Sequence, residues 1–226
     1  MERLAIPTVR DHRGNLAFIQ QSVDFPFVPA NVMWGENLPV VDGRAAAINL
    51  ATPEHVELLV AGQNSTESKA LQIVLLPALE PQEQTAAPRS AHRTSSVDRC
   101  LIIPQKQLSQ NAYGAKSPFA IRRIYFLYAT PPEAHRGGHS HFAEHRLLVA
   151  VSGSFRVVLS DGFRRRTVML SNPGEALYIP PGIWRELDRF SPNTVCLAMS
   201  STEYDPNDYV RSKLLFNALT KSKIKR

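Results

Sequence analysis

The chain has 226 residues, 43% of them hydrophobic, so it can bury the core of one large domain or of a domain with an insertion. Much of its formal net charge of +6 lies in two short runs, Arg164–Arg166 and the tail Lys221–Arg226. Neither run is interleaved with aromatic residues or belongs to a known nucleic-acid-binding module. We therefore expect no nucleic acid partner.

Two further features exclude other classes. Cys100 and Cys196 are far apart and form no Cys-x-x-Cys motif, which argues against a disulfide framework and against a zinc knuckle. The N-terminus lacks the apolar segment of a signal peptide, and no apolar run reaches the length of a transmembrane helix. We expect a cytoplasmic protein with no membrane partner.

The first two parts of the chain differ in character. Residues 1–27 contain one predicted strand, "NLAFIQQ", bounded by Arg13-Gly14 and by "DFP". Residues 28–117 contain "AAAINLA", "HVELLVAG" and "KALQIVLLPAL", which could be strands or short helices. The aperiodic stretch "EPQEQTAAPRSAHRTSSVDR" then indicates a flexible loop or linker. We predict that 28–117 is an insertion of unknown fold, partly flexible.

The third part, residues 118–226, is rich in strand signals. They are "AIRRIYFLYA", "HRLLVAVSG", "SFRVVLSDG", "FRRRTVMLSNPG", "ALYIPPG", "WRELDRFS" and "TVCLAMSS". Asp161-Gly162 predicts a hairpin between the third and fourth of them. Short strands at this spacing are typical of an all-β sandwich or jelly roll. At the end the period changes to that of one terminal helix, with Val210, Leu214, Leu215 and Ala218 on one face.

The stretch "RGGHSH" carries the chemistry. His139 and His141 are two residues apart, so on a strand both side chains point to one face, which in a small barrel is the interior. Such a pair often begins a metal site in cupins, which place an acid and a third His at later landmarks. Here those positions hold Arg146 and Arg185.

Guanidinium groups stay protonated and do not bind metals. The pattern therefore predicts a metal-free pocket for an anionic or polar substrate, with imidazoles that transfer protons near neutral pH. By strand alternation, Glu144 should point away from this pocket, and His145 should share the side of His141.

Two stretches of the chain closely resemble the nucleotide-sugar 3,4-ketoisomerases, the WxcM-like or FdtA-type cupins. They are "FAIRRIYFLYATPPEAHRGGHSHFAEHRLLVAVSGSFRVVLSDG" and "LYIPPGIWRELDRFSPNTVCLAMSSTEYDPNDYVR". Residues 1–27, with their Asp-x-Arg-Gly element, resemble the first strand region of that family. The resemblance covers 1–27 and about 118–216. It implies an RmlC-like jelly roll in which 1–27 and 118–226 form the barrel, with a C-terminal helix and 28–117 inserted.

The resemblance also implies a reaction. Such enzymes use no metal or other cofactor and convert a dTDP-4-keto-6-deoxyglucose to a 3-keto-6-deoxyhexose through an enediol, in deoxysugar and polysaccharide biosynthesis. His139 and His141 match the histidine pair of the family and are assigned as its acid/base couple; the order in which they act stays open. The implied substrate-binding residues are Arg13, Arg123, Arg136, Tyr178, Trp184 and Arg185. Residue 146 is Arg where relatives commonly carry Gln.

Because the first strand tends to cross to a partner in this family, we expect a homodimer with N-terminal strand exchange. Two alternative functions differ from the isomerase. One is a non-catalytic cupin that only binds a sugar nucleotide, and the other is a metal-dependent cupin oxygenase, which the two arginines disfavour.

Overall fold

A computed structural model describes the backbone of residues 2–4, 8–20, 29–35, 46–52, 55–60, 72–77, 96–104, 115–116 and 118–222, and the side chains of 9–17, 96–104 and 118–222. The strands are β1 Glu2–Leu4, β2 Thr8–Asp11, β3 Gly14–Gln20, β4 Pro29–Gly35, β5 Ala46–Thr52, β6 His55–Val60, β7 Gln72–Pro77, β8 Leu101–Pro104, β9 Ala115–Lys116, β10 Arg123–Tyr128, β11 Arg136–His141, β12 Arg146–Ser152, β13 Phe155–Ser160, β14 Arg165–Leu170, β15 Glu175–Ile179, β16 Trp184–Asp188, β17 Val195–Ser200 and β18 Tyr209–Val210. The helices are the α-helix α1, Lys213–Ser222, and the 3-10 turns Val97–Arg99 and Pro206–Asp208.

Two antiparallel sheets form the barrel, one in the order β2-β3-β10-β17-β12-β15-β8 and the other in the order β14-β13-β16-β11-β18. Alternate residues of their strands point inward, because side chains in a strand alternate between faces. These inward side chains pack into one apolar core, which includes Leu148, Phe155, Leu159, Leu177 and Leu187. This is the mostly β, two-sheet architecture with a C-terminal helix that the sequence predicts.

The predicted hairpin at Asp161-Gly162 is confirmed. Strands β13 and β14 pair from Phe155 opposite Leu170 to Ser160 opposite Arg165. The Asp161 side chain closes the turn, since its Oδ1 accepts backbone N–H bonds of 2.9 and 2.8 Å from the two residues after Gly162.

A third antiparallel sheet, in the order β1-β6-β5-β7-β4-β9, takes most of its strands from 28–117. The three segments that the sequence left open between strand and helix are β5, β6 and β7. Two elements cross the predicted boundaries: β1 pairs with β6, and β8 pairs with β15 of the barrel. The division into 1–27, 28–117 and 118–226 stays a prediction, and most of the expected flexible stretch, residues 80–95, lies outside the described residues.

The terminal helix is present, but its predicted buried face is wrong. Val210 belongs to β18, which pairs with β11, so the helix begins only at Lys213. Phe216 packs with Val210 and Trp184, whereas Leu214 is 82% exposed. The helical spacing misled the prediction because Val210, a strand residue, was counted in it. No helix in the described part of the chain is long and apolar enough to cross a membrane.

Candidate active site

A cavity of about 440 Å³ lies between the inner faces of the two barrel sheets. Leu127, Leu148 and Leu187 form part of its apolar wall. Among the described residues, six arginines and no acidic residue line it: Arg13, Arg123, Arg136, Arg146, Arg185 and Arg211. Guanidinium groups bind phosphate and carboxylate through paired N–H bonds, so this lining suits an anionic ligand.

His139 lies in the cavity wall, held at both ring nitrogens. Nε2 is 3.0 Å from Nη2 of Arg185, and Nδ1 is 3.0 Å from the carbonyl oxygen of Gly137. Because a guanidinium only donates, Nε2 accepts from Arg185 and the Nδ1 proton goes to the Gly137 carbonyl. Burial, and then the guanidinium charges of Arg185 and Arg146, lower the pKa of His139 to about 2. The imidazole is therefore neutral.

His141 lies beside it and is almost fully buried, with the two ring centroids 5.1 Å apart. Its Nδ1 is 2.9 Å from Oδ2 of Asp208, and since a carboxylate accepts, Nδ1 carries the proton. The lone pair of His141 is then on Nε2, which has no hydrogen-bond partner among the described residues. Burial, and then the charges of Arg185 and Arg146, lower the pKa of this imidazole. The result is a neutral imidazole with its lone pair on a buried Nε2, and unlike His139 its side chain does not line the 440 Å³ cavity.

Asp208 and Tyr209 complete the surroundings of the histidines, and sequence reasoning missed both. Strand β18 places Tyr209 opposite His141, with the rings 4.1 Å apart. The Asp208 carboxylate also accepts backbone N–H bonds from Ala143 at 2.7 Å and Glu144 at 3.2 Å. It thereby fixes the orientation of His141 and the loop 142–145 together.

Glu144 is the clearest difference from the sequence prediction. Strand β11 ends at His141 and β12 begins at Arg146, so the bend at 142–145 interrupts the alternation that would have turned Glu144 outward. Instead Glu144 is 3% exposed, and its Oε1 contacts Nη2 of Arg146 and lies 3.6 Å from Nη2 of Arg185. Arg146 and Arg185, the arginines at the two positions where metal-binding cupins place ligands, are buried with it.

Arg13 and Arg136 both reach the cavity, as expected. Arg13 is held by Asp11, with Nη2 2.6 Å from Oδ2. Arg136 donates from Nη2 to the Arg13 carbonyl at 2.7 Å. The turn between β2 and β3 and the first residue of β11 thus present two guanidinium groups next to each other.

Arg123 also lines the cavity. Its guanidinium lies over the rings of Tyr125 and Tyr204, 5.1 and 5.2 Å from their centroids. Its Nη1 is 3.5 Å from the hydroxyl of Tyr209. Both rings attract the guanidinium charge and so favour this position of Arg123.

Tyr178 and Trp184 were expected to face this cavity, but neither is among the described residues that line it. Neighbouring strand residues point to opposite faces, so Trp184 and Arg185 cannot both point inward. Trp184 packs under α1, 5.5 Å from the ring of Phe216. Tyr178 lies outside the cavity lining, where its hydroxyl is 2.7 Å from Nδ1 of His145. His145, expected on the side of His141, lies with Tyr178 because the loop breaks the alternation.

Within the described residues, no three His, Cys, Asp or Glu side chains are grouped so that they could hold a metal ion. The donor set explains why: Arg185 already engages the Nε2 lone pair of His139, and Arg146 pairs with the nearest carboxylate. Neutral imidazoles beside a cationic cavity are groups suited to proton transfer.

The chain is similar to several known proteins. A curated relative from Aneurinibacillus thermoaerophilus, a TDP-4-oxo-6-deoxy-alpha-D-glucose-3,4-oxoisomerase, is 38% identical over 94 residues, which are 42% of this chain and 68% of the relative. A solved 3,4-ketoisomerase from Helicobacter canadensis is 29% identical, with a TM-score of 0.50 over 54% of this chain and 98% of that structure. A mutant of the 3,4-ketoisomerase QdtA from Thermoanaerobacterium thermosaccharolyticum, in complex with TDP-4-keto-6-deoxyglucose, is 27% identical, with a TM-score of 0.52 over 58% of this chain and all of that structure.

These likenesses confirm the cupin fold predicted for the barrel, with the C-terminal helix at its end. The family described as WxcM-like, C-terminal (FdtA) matches residues 99–221, more than half of the chain, and the match includes every residue of the histidine and arginine cluster except Arg13. The chain belongs to this family.

Proposed function

We propose that the chain is a sugar 3,4-ketoisomerase that converts a TDP-4-keto-6-deoxyglucose to the 3-keto-6-deoxyhexose, as a step of deoxysugar biosynthesis. The observation that carries the proposal is a pair of neutral imidazoles: His139 in the wall of an arginine-lined cavity and, beside it, His141, whose Nδ1 is held by Asp208 so that Nε2 carries the lone pair. The relatives named above as 3,4-ketoisomerases support the choice of reaction.

In the proposed mechanism His141 takes the first proton. Its Nε2 removes the proton from carbon 3 of the sugar, while the proton on Nδ1 stays with Asp208. His139 is less suited to this first step, because its Nε2 lone pair already accepts from Arg185. The electron pair of the broken C–H bond forms the carbon 3–carbon 4 double bond, and the carbonyl electrons at carbon 4 move onto its oxygen. The product of this step is the enediol as its monoanion, beside the imidazolium of His141.

The second half reverses the roles of the two carbons. The proton of the carbon 3 hydroxyl passes to the negatively charged oxygen at carbon 4. The carbonyl then forms at carbon 3, while carbon 4 receives from the imidazole couple of His139 and His141 the proton that was taken from carbon 3. No electrons leave the sugar, so the reaction needs no redox partner. The buried guanidinium groups of Arg185 and Arg146 stabilise the oxygen that carries negative charge between the two steps.

The diphosphate of the substrate is assigned to the outer arginines. Arg13 and Arg136 lie next to each other at the cavity wall, and Arg123 faces them from β10. Such pairs of guanidinium groups bind a diphosphate through bidentate N–H bonds. We also propose a homodimer with N-terminal strand exchange, although β3 pairs with β10 of its own chain in the structure.

We propose that this reaction is metal-independent, because guanidinium groups occupy the two positions at which metal-binding cupins place ligands. Adding a chelator should leave the rate unchanged, as measured after metal analysis of the purified protein. Chelator-sensitive activity restored by iron, zinc or manganese would point to the metal-dependent oxygenase class instead.

Proton exchange tests the proposal directly. The protein is incubated with TDP-4-keto-6-deoxyglucose in deuterated water, and the signal of the carbon 3 proton is followed by NMR. We expect exchange with the wild-type protein and a loss of about 10²- to 10⁴-fold in His141→Asn, the range of general base catalysis. His139→Asn should also lower the rate.

Binding separates the proposal from its alternative. If calorimetry shows that the wild-type protein binds the substrate without any exchange at carbon 3, the chain is a sugar-nucleotide-binding module and the isomerase proposal is wrong. The asparagine variants should still bind TDP, because the arginines assigned to the diphosphate are intact in them.

A further inference from the structure

Glu144 lies in the protein interior at the point where three functional groups meet, and neither the cavity lining nor the family assignment explains it. Its Oε1 is 3.5 Å from Nε2 of His141 and 3.6 Å from Nη2 of Arg185, and it contacts Nη2 of Arg146. The side chain does not line the cavity and is almost fully buried. A buried carboxylate is retained in a protein only where its surroundings compensate the cost of burying a charge.

The contact with His141 is unfavourable in the resting state. The proton of the neutral imidazole is on Nδ1, so the unprotonated Nε2 lies 3.5 Å from a carboxylate oxygen that also carries lone pairs. Two acceptors at 3.5 Å repel each other. Once Nε2 takes up a proton, the same contact becomes an attraction between an imidazolium and a carboxylate.

The other charged and titratable groups around His141 act on its ring charge in both directions. Arg185, Arg146, Arg123 and His139 disfavour a positive charge on the ring. Asp208 favours it through Nδ1, and Tyr209 packs against the ring face. Glu144 is the described carboxylate on the Nε2 side, and it pairs with the two guanidinium groups that oppose protonation there.

We propose that Glu144 is a positioning residue for the isomerase reaction: its carboxylate disfavours the neutral lone pair at Nε2 of His141 and stabilises the imidazolium that forms when this nitrogen takes the proton from carbon 3. The inference rests on the proposed function, with His141 as the first base. It assigns to Glu144 a part of the driving force for proton transfer, acting through His141 rather than on the sugar.

The backbone supports this role. The loop 142–145 that turns Glu144 inward is fixed by the same Asp208 carboxylate that orients His141, through N–H bonds from Ala143 and Glu144. One acidic residue thus places both the base and the carboxylate beside it. The loop is therefore expected to keep its position when only the Glu144 side chain is changed.

The test is a double-mutant cycle on residues 144 and 146. Glu144→Gln keeps the shape but replaces an acceptor by an amide that can donate to Nε2 and stabilise the neutral base. We expect kcat for carbon 3 exchange to fall about 10²-fold, with KM changed less than about threefold because Glu144 does not line the cavity. Glu144→Asp, which keeps the charge, should recover most of the lost rate.

The competing explanation is that Glu144 only neutralises Arg146. It is separated by making Glu144→Gln a second time in an Arg146→Gln background. If Glu144 acts on His141, Glu144→Gln lowers kcat for carbon 3 exchange about 10²-fold in both backgrounds. If Glu144 serves only Arg146, the substitution no longer lowers kcat when Arg146 is absent. The second result would overturn the inference. Because the double variant carries no unpaired Arg146, this comparison also holds if Glu144→Gln alone folds poorly.

The outcomes distinguish a failure of the proposed isomerase function from a failure of the role assigned to Glu144. A wild-type protein that binds the substrate without exchange refutes the proposed function itself. A wild-type protein that exchanges normally, with Glu144→Gln equally active, refutes only the role of Glu144. Thermal unfolding of each variant checks that a lost rate is not a lost fold.

Discussion

The interior of the barrel has two ends built from the same strands. Strand β12 places Arg146 and then Leu148 inward, and β16 places Arg185 and then Leu187 inward. Two residues along a strand therefore separate a buried charge cluster from an apolar core. The apolar end supplies free energy of folding, and the charged end consumes part of it, because buried guanidinium and carboxylate groups must be desolvated. The fold can keep the charged end only because the other end packs well.

The largest expected effect comes from breaking the apolar end. Phe155 is fully buried, stacks on Phe190 with ring centroids 5.7 Å apart, and does not line the cavity. Phe155→Ala should lower the free energy of unfolding by about 3–5 kcal/mol, as core truncations do. Denaturant unfolding measures it. The exchange rate per folded molecule should be unchanged.

A matched control is Phe163→Ala, since Phe163 is exposed at the tip of the β13–β14 hairpin. It should change the free energy of unfolding by less than about 0.5 kcal/mol. If Phe155→Ala also abolished exchange in protein that is demonstrably folded, the separation between the two ends would be wrong.

The next effect concerns the charged end and changes activity rather than stability. In Asp208→Asn, the new amide can donate to Nδ1 of His141, so the ring proton moves to Nε2 and the free lone pair is lost. We expect carbon 3 exchange to fall by roughly 10²- to 10⁴-fold, the range of a lost general base. NMR of the His141 nitrogens measures the change of tautomer independently of the rate.

Asp205→Asn is the control for this substitution. Asp205 caps the same 3-10 turn by accepting the N–H of Asn207 at 2.8 Å, and an asparagine oxygen can do the same. The control should keep the wild-type rate. Equal losses in both variants would mean that the turn, not the carboxylate on His141, matters.

The two ends also differ in how well the sequence predicts them. The core and the inward arginines follow from strand alternation, which is regular along β12 and β16, so His139, His141, Arg146 and Arg185 could be placed together. Glu144 could not, because the alternation stops where β11 ends, and the side chain of a bend residue is directed by its hydrogen bonds. Asp208 reaches His141 across a sequence separation of 67 residues, which no local pattern encodes. Trp184 and Tyr178 were predicted to face the pocket. Strand alternation would have turned both outward, because their strand neighbours Arg185 and Leu177 point inward.

The smallest effect tests how closely the site depends on the pairing of β11 and β16. Gly137 and Gly138 both have positive φ, +82° and +69°, so an Ala at either position is strained by about 1–2 kcal/mol. They differ in space: a Cβ on Gly137 would lie 2.7 Å from the carbonyl oxygen of Arg185, whereas nothing lies within 4 Å of one on Gly138. Gly137→Ala must therefore push β11 away from β16, where His139 meets Arg185.

Both variants should lose a similar amount of stability to backbone strain, but only Gly137→Ala should also slow exchange, by about tenfold or more, because small displacements of reacting groups are costly. Thermal unfolding and the exchange rate, measured side by side, separate the two contributions. We do not expect equal rates, because a shift of β11 against β16 should disturb the 3.0 Å hydrogen bond between Arg185 and His139. Equal exchange rates in the two variants would show that the charged end tolerates this shift.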